Sequence, residues 1–314
     1  MKNIGLKRLE IVSPEKFTNP TKMKIRKIIH PLVKKIILSS VGKEVIVEKK
    51  PQLEKDEEYI FVSSHCYNED IQVALGIIDR NAWLLLGSTD QIENNPTSYA
   101  GWANGFIYVD RNDKKSRSDS VEKMRYILEN GSSVLIFAEG GLNNTENLLI
   151  QPLFASPHRL CCETGKKVVP LCTYRDEDND KLYVRMGEPL DLSVYDKKEA
   201  LTILRDEMAS MMYEMILNHS KQQERSKMYG DLHLDYMEHR RKEYLKSKWT
   251  RDVWDEELTV YQSKDITTAK QVRESLDKVN VNADNAFIYA PILVEREEDE
   301  KYDFKKYMKR NWNK

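Results

Sequence analysis

Four cysteines in 314 residues are too few for a disulfide-built scaffold. Cys161 and Cys162 are adjacent, Cys66 and Cys172 stand apart, and no C-x-x-C spacing occurs. A zinc site is therefore not indicated, and reduced thiols in a cytoplasmic protein are the expectation. The chain has no run of about 18 apolar residues, so no transmembrane helix is expected. Its first residues, MKNIGLKRLEIV, lack the apolar stretch and small-residue cleavage site of a secretory signal. Also missing are G-x-x-x-x-G-K-[ST], G-x-G-x-x-G and H-E-x-x-H, which sets aside the phosphate loop, the dinucleotide fold and the zinc protease. Internal repeats and low-complexity tracts are absent as well.

Charge is plentiful and hides in its own balance. Charged residues make up 32% of the chain, yet the net charge is −1. Residues 1–50 hold an excess of about nine positive charges, which points to an anionic partner there. Within residues 22–41, Ile25, Ile28, Ile29, Leu32, Val33, Ile36 and Ile37 recur at helical spacing, with Lys24, Arg26, Lys27, Lys34 and Lys35 on the other face. Pro31 should kink this pattern or divide it into two short helices. An interfacial helix pair on an anionic membrane and an ordinary helix docked on a core both fit the pattern.

Beyond residue 50 the texture alternates. YIFVSS at 59–64 reads as a buried strand ending at His65, followed by a helix over 69–79. Further strands are predicted at Ala82 to Leu86, Gly105 to Val109, Val134 to Phe137, Val168 to Tyr174 and Leu182 to Met186. Helices are predicted over 119–130, closed by Gly131, and over 197–219. Such alternation predicts an α/β fold: a central, mostly parallel sheet flanked by helices. The whole divides into a basic N-terminal helical segment (1–50), an α/β domain (51–219) and a charged, largely helical C-terminal extension (220–314). The basic, aromatic stretch 221–251 could suggest RNA, but acidic residues are interleaved throughout, so a solvated helix face is expected and no nucleic-acid partner.

The chemistry rests on an H-x-x-x-x-D pair, His65 and Asp70, at a strand end. An imidazole takes protons near neutral pH, and a carboxylate on its other nitrogen fixes the tautomer and stabilises the imidazolium. Five residues cannot lie on one helix face, so His65 must sit in a loop with Asp70 in the following first helical turn. Alone, this spacing is a weak signal.

An ordered set of segments follows it: Gly105-Phe106-Ile107-Tyr108-Val109-Asp110-Arg111, then Phe137-Ala138-Glu139-Gly140-Gly141, then Val168-Val169-Pro170-Leu171. Together with His65-Cys66-Tyr67-Asn68-Glu69-Asp70, they resemble the four blocks of the glycerol-phosphate and lysophosphatidate acyltransferases of the PlsC type, over about residues 55–190. The resemblance implies that His65 is the general base and Asp70 its orienter. The acyl group would pass directly from an acyl thioester, on coenzyme A or acyl carrier protein, to a lipid hydroxyl. No Ser or Cys nucleophile is then needed, and the neighbour of His65, Cys66, is explained by its block. No cofactor or metal is implied. Arg111 would hold a phosphate or carboxylate, and Glu139 would bind acceptor hydroxyls or hold its loop through backbone contacts. Backbone N–H groups around Gly140 and Gly141 would suit the oxyanion. The third block departs from the family at Ala138, Gly141 and Leu142, where proline, threonine and arginine are usual. Leu142 cannot make arginine's bidentate grip on phosphate, which leaves the acceptor open. The expectation is a peripheral enzyme on the inner, cytoplasmic face of a membrane, held there by residues 22–41. A non-phosphate acceptor and a non-catalytic lipid-binding module are the alternatives.

Overall fold

The computed structural model describes residues 12–87, 96–111, 113–143, 148–176 and 179–220, with the side chains of 96–98 left aside. The expected extension beyond Ser220 lies outside the described residues.

The helices are α1 (Pro14–Phe17), α2 (Pro20–Ser39), α3 (Asp70–Ile77), α4 (Pro96–Asn104), α5 (Lys114–Glu129), α6 (Ser156–Thr164) and α7 (Lys197–His219). The strands are β1 (Glu44–Lys49), β2 (Ile60–Ser63), β3 (Ala82–Leu86), β4 (Phe106–Tyr108), β5 (Ser133–Ile136), β6 (Val168–Asp176) and β7 (Lys181–Met186). They form one sheet in the order β1-β7-β6-β2-β5-β3-β4. Every neighbouring pair is parallel except β6 with β7, which is antiparallel. The mostly parallel α/β sheet expected from the alternation is present.

Strand periodicity sorts the core into two layers. Ile60, Val62, Trp83, Val134 and Ile136 face Met124, Ile127, Leu160, Leu204 and Met208 of α5, α6 and α7. Phe61, Leu84, Leu86, Leu135 and Val169 face Val33, Ile37, Val73, Ala74 and Ile77 of α2 and α3. A strand covered on both faces must be apolar throughout, as β2 and β5 are. Parallel strands also bring all their C-terminal ends to one rim, and there β2, β4 and β5 deliver His65, Arg111 and Glu139.

Pro31 does not split α2, which runs as one helix of 20 residues. Of the two outcomes expected at Pro31, a kink or a division into two short helices, the division is not found, and tertiary anchors on both sides of the proline account for the continuity. Before it, the Arg26 guanidinium lies over the Trp83 and Trp102 rings and donates to the carbonyls of Trp102 and Ala103. Immediately before and after it, His30 bonds Asn104 Oδ1 at 3.0 Å, and Val33 and Ile37 are buried. The inner face of α2 is therefore docked on the core, while Ile25, Ile28, Leu32 and Ile36 stay outside, 43–70% exposed. β1 was not anticipated from the sequence: its six residues EVIVEK lie on the sheet edge and are half to fully exposed, so they show no core pattern.

Gly105 opens β4 at φ +128°, and a Cβ there would stand 2.4 Å from Trp83 Cδ2. Gly105→Ala therefore combines a left-handed backbone with an overpacked ring. We expect a loss of roughly 2–4 kcal/mol, read as a lowered denaturant midpoint with unchanged slope.

Candidate active site

β2 is held on both sides by β5 and β6, so the residue leaving its C-terminal end has a fixed position. That residue is His65. The chain then turns through 66–69 and enters α3 at Asp70, the first helical residue. A carboxylate at a helix N-terminus is favoured by the helix dipole. Asp70 Oδ2 accepts from the N–H of Cys66 at 2.6 Å and of Tyr67 at 2.8 Å, and it lies 3.5 Å from His65 Nδ1. The loop thus curls around the carboxylate, bringing His65 and Asp70 together as the spacing required. Burial raises the pKa of the Asp70 carboxyl, and these donors oppose the rise. The His65 ring is almost wholly buried and packs on Phe137 with centroids 4.6 Å apart.

The loop after β5 approaches His65 from the other side. Glu139, 1% exposed, spans two chain segments: Oε1 accepts from His65 N and Oε2 from Gln151 N, both at 2.8 Å. Burial pushes the Glu139 carboxyl up to about 8. The two N–H groups and the charge of Arg205 pull it down, and the charge of Asp70 adds to the rise. Asn143 N donates to the His65 carbonyl at 2.5 Å, so both backbone groups of His65 are held by this loop.

Gly140 takes φ +76°, and its N–H donates to the Phe137 carbonyl at 2.9 Å. Of the two glycine N–H groups expected to suit the oxyanion, this one therefore already closes a turn. Among the described residues the Gly141 N–H meets no acceptor, so it is the one of the two that can serve. The guanidinium of Arg111 donates to the Gly140 carbonyl, which brings the second block against the third, and the Arg111 carbonyl accepts from Arg117. Leu142 is buried, and its carbonyl accepts from Gln151 Nε2 at 2.9 Å. The place of the family's arginine is therefore part of the core.

Asn143, Gln151 and Arg205 belong to the site's frame and were not foreseen. Each acts on a backbone group, and such contacts leave no residue pattern to recognise. Arg205 Nε, from α7, donates to the Ile150 carbonyl at 2.9 Å.

A histidine is thus held between a buried carboxylate and a glycine-bearing loop at the C-terminal rim of the sheet, and residues 44–174, which carry both, match the sequence model of the Acyltransferase family. Among solved structures the chain is similar to the 1-acyl-sn-glycerophosphate (LPA) acyltransferase PlsC from Thermotoga maritima. The TM-score is 0.51 at 15% identity, covering 63% of this chain and 83% of the other, so that likeness is one of fold. The comparison with curated proteins gave no match.

Proposed function

We propose that the chain moves a fatty acyl group from an acyl thioester, on coenzyme A or acyl carrier protein, to a hydroxyl of a lysophospholipid-like acceptor. The observation that carries this reading is the His65–Asp70 pair, buried at the sheet rim beside Glu139. With Asp70 on Nδ1, His65 Nε2 is the nitrogen that takes the acceptor's proton as its oxygen attacks the thioester carbonyl. Collapse of the tetrahedral intermediate breaks the C–S bond, and the imidazolium returns the proton to the departing thiolate. Gly141 N–H would face the oxyanion, and Arg111 the acceptor's anionic group. Both oxygens of Glu139 accept backbone N–H groups, so of its two expected roles we assign it the holding of the loop. No bound cofactor enters the scheme.

The test is release of free thiol by the purified full chain, given palmitoyl-coenzyme A or palmitoyl carrier protein with lysophosphatidate. Acceptor-dependent release is expected. Its absence with every lyso-lipid tried would leave only the non-catalytic binding module. An acceptor without phosphate is the second reading, favoured by the buried Leu142. It predicts that Arg111→Ala spares the best acceptor.

The outward stripe of α2 supports a place for the reaction. Among the described residues no helix is long and apolar enough to cross a membrane. Ile25, Ile28, Leu32 and Ile36 lie one or two turns apart on one face, flanked by the exposed Lys24 and Lys35. The adjoining α4 adds exposed Tyr99 and Trp102. An aliphatic ridge edged by lysine and aromatic rings suits the surface of an anionic leaflet, here the cytoplasmic one. Each aliphatic side chain buried there contributes about 1.5–3 kcal/mol. Ile28→Glu with Leu32→Glu should therefore lower partition onto phosphatidylglycerol vesicles more than tenfold, with thermal stability unchanged. Equal partition of wild type and variant in a sedimentation assay would remove the membrane from the scheme.

A further inference from the structure

α7 reaches the catalytic histidine through a relay of hydrogen bonds that begins at Arg205. Its Nε donates to the Ile150 carbonyl at 2.9 Å. The next residue, Gln151, donates its N–H to Glu139 Oε2, and Glu139 Oε1 accepts the N–H of His65 itself, each at 2.8 Å. Ile150 is 1% exposed, so its carbonyl has no access to bulk water as an alternative partner.

We propose that Arg205 is a positioning residue for the acyl transfer, holding the 139–151 loop through Ile150 and shifting Glu139 toward the carboxylate that grips the His65 backbone. This rests on the reading of His65 as the base. It lies beyond the family's blocks, because Arg205 falls outside residues 44–174.

The chemistry of Glu139 explains why a cation is needed. Two N–H donors, one on each oxygen, are held best by the carboxylate, whose charge is shared over both oxygens. The neutral acid keeps one carbonyl acceptor, and its hydroxyl oxygen accepts only weakly and must turn its O–H away. Burial favours the neutral acid, and so does the nearby Asp70. Among the described residues, the groups with charge or titration that face Glu139 include His65, Asp70 on α3, Cys172 on β6 and Arg205 on α7. Asp70 opposes ionisation, and the buried Cys172 thiol, its own pKa pushed well above the usual value, supplies no charge. Arg205 is a permanent cation among these groups, and its charge favours the carboxylate.

The test is the pH profile of thiol release by the full-length Arg205→Met variant, which keeps length and volume but neither charge nor donor. If loss of the cation raises the Glu139 carboxyl by about one pH unit, kcat falls about tenfold at pH 7 and by less than twofold at pH 9.5, with KM for both substrates unchanged. Arg205→Lys keeps the charge and should restore most of the neutral-pH rate. A merely structural arginine would instead lower kcat by the same factor at every pH, or shift KM, and either result overturns the proposal. A second measurement covers variants that fold poorly and a wild type without acyl transfer: amide hydrogen exchange at His65 and Gln151. Arg205→Met, or Arg205→Lys to a lesser degree, should speed exchange at both amides at neutral pH while leaving those of β5 protected. Unchanged exchange at His65 and Gln151 would sink the relay, whatever becomes of the proposed reaction.

Discussion

Replacing His65 by alanine should lower kcat for thiol release by roughly 10³-fold or more, with KM for the acyl donor little changed. The side chain lies at the end of a strand paired on both sides, so the backbone does not depend on its ring. The ring contact with Phe137 is lost, and a cost of about 1–2 kcal/mol is expected in denaturant unfolding. Asp70→Asn separates two duties of the same carboxylate. An amide oxygen can still accept from Cys66 and Tyr67, so the loop should keep its turn. The negative charge beside Nδ1 is gone, and the imidazolium formed during transfer loses its partner. A fall of about 10²–10⁴-fold in kcat with near wild-type stability is the expected result. Should Asp70→Asn retain more than a tenth of the wild-type rate, the pair is not the base that performs the reaction.

What could be read in advance follows from what each residue touches. β2, β3, β5 and α7 are long or strongly apolar, and their bounds were legible within about a residue. That His65 and Asp70 meet was legible because their short interval lets the loop after β2 fold back on the first turn of α3. β1 escaped because an edge strand with exposed Glu44, Glu48 and Lys49 buries too little to leave an alternating pattern. The continuity of α2 through Pro31 escaped for a related reason. Its anchors, Asn104, Trp102 and Ile78, lie far along the chain, and local propensity is silent about them. Arg205 is the extreme case. In the sequence it is one polar residue on a helix of alternating charge. Its meaning comes from a carbonyl 55 residues away that no side-chain pattern marks.

Glu139 should show stability and activity pulling in opposite directions with pH. Its folded pKa of about 8 stands above the unfolded value of about 4.3, so the folded state binds the extra proton between those limits. The contribution to stability is full below about pH 4.3 and is lost as pH rises through 8. Yet the carboxylate formed over that same window is the species that takes both N–H groups and fixes His65, so kcat should rise as this part of the stability falls. Glu139→Gln removes the titration. Relative to wild type, its deficit in stability should therefore shrink from pH 5 to pH 8, while its own rate should not rise over that range and should lie at least about 10²-fold below wild type at pH 8, since one amide NH₂ now faces an N–H and the base is displaced. Glu139→Ala goes further. It leaves the amides of His65 and Gln151 buried without acceptors, at about 1–3 kcal/mol each, so roughly 2–6 kcal/mol of stability should disappear along with activity. Urea unfolding at pH 5, 6.5 and 8 on the three proteins reads all of this. A deficit of Glu139→Gln that stays the same from pH 5 to pH 8 would mean that Glu139 is ionised throughout the range, and that burial does not hold its proton.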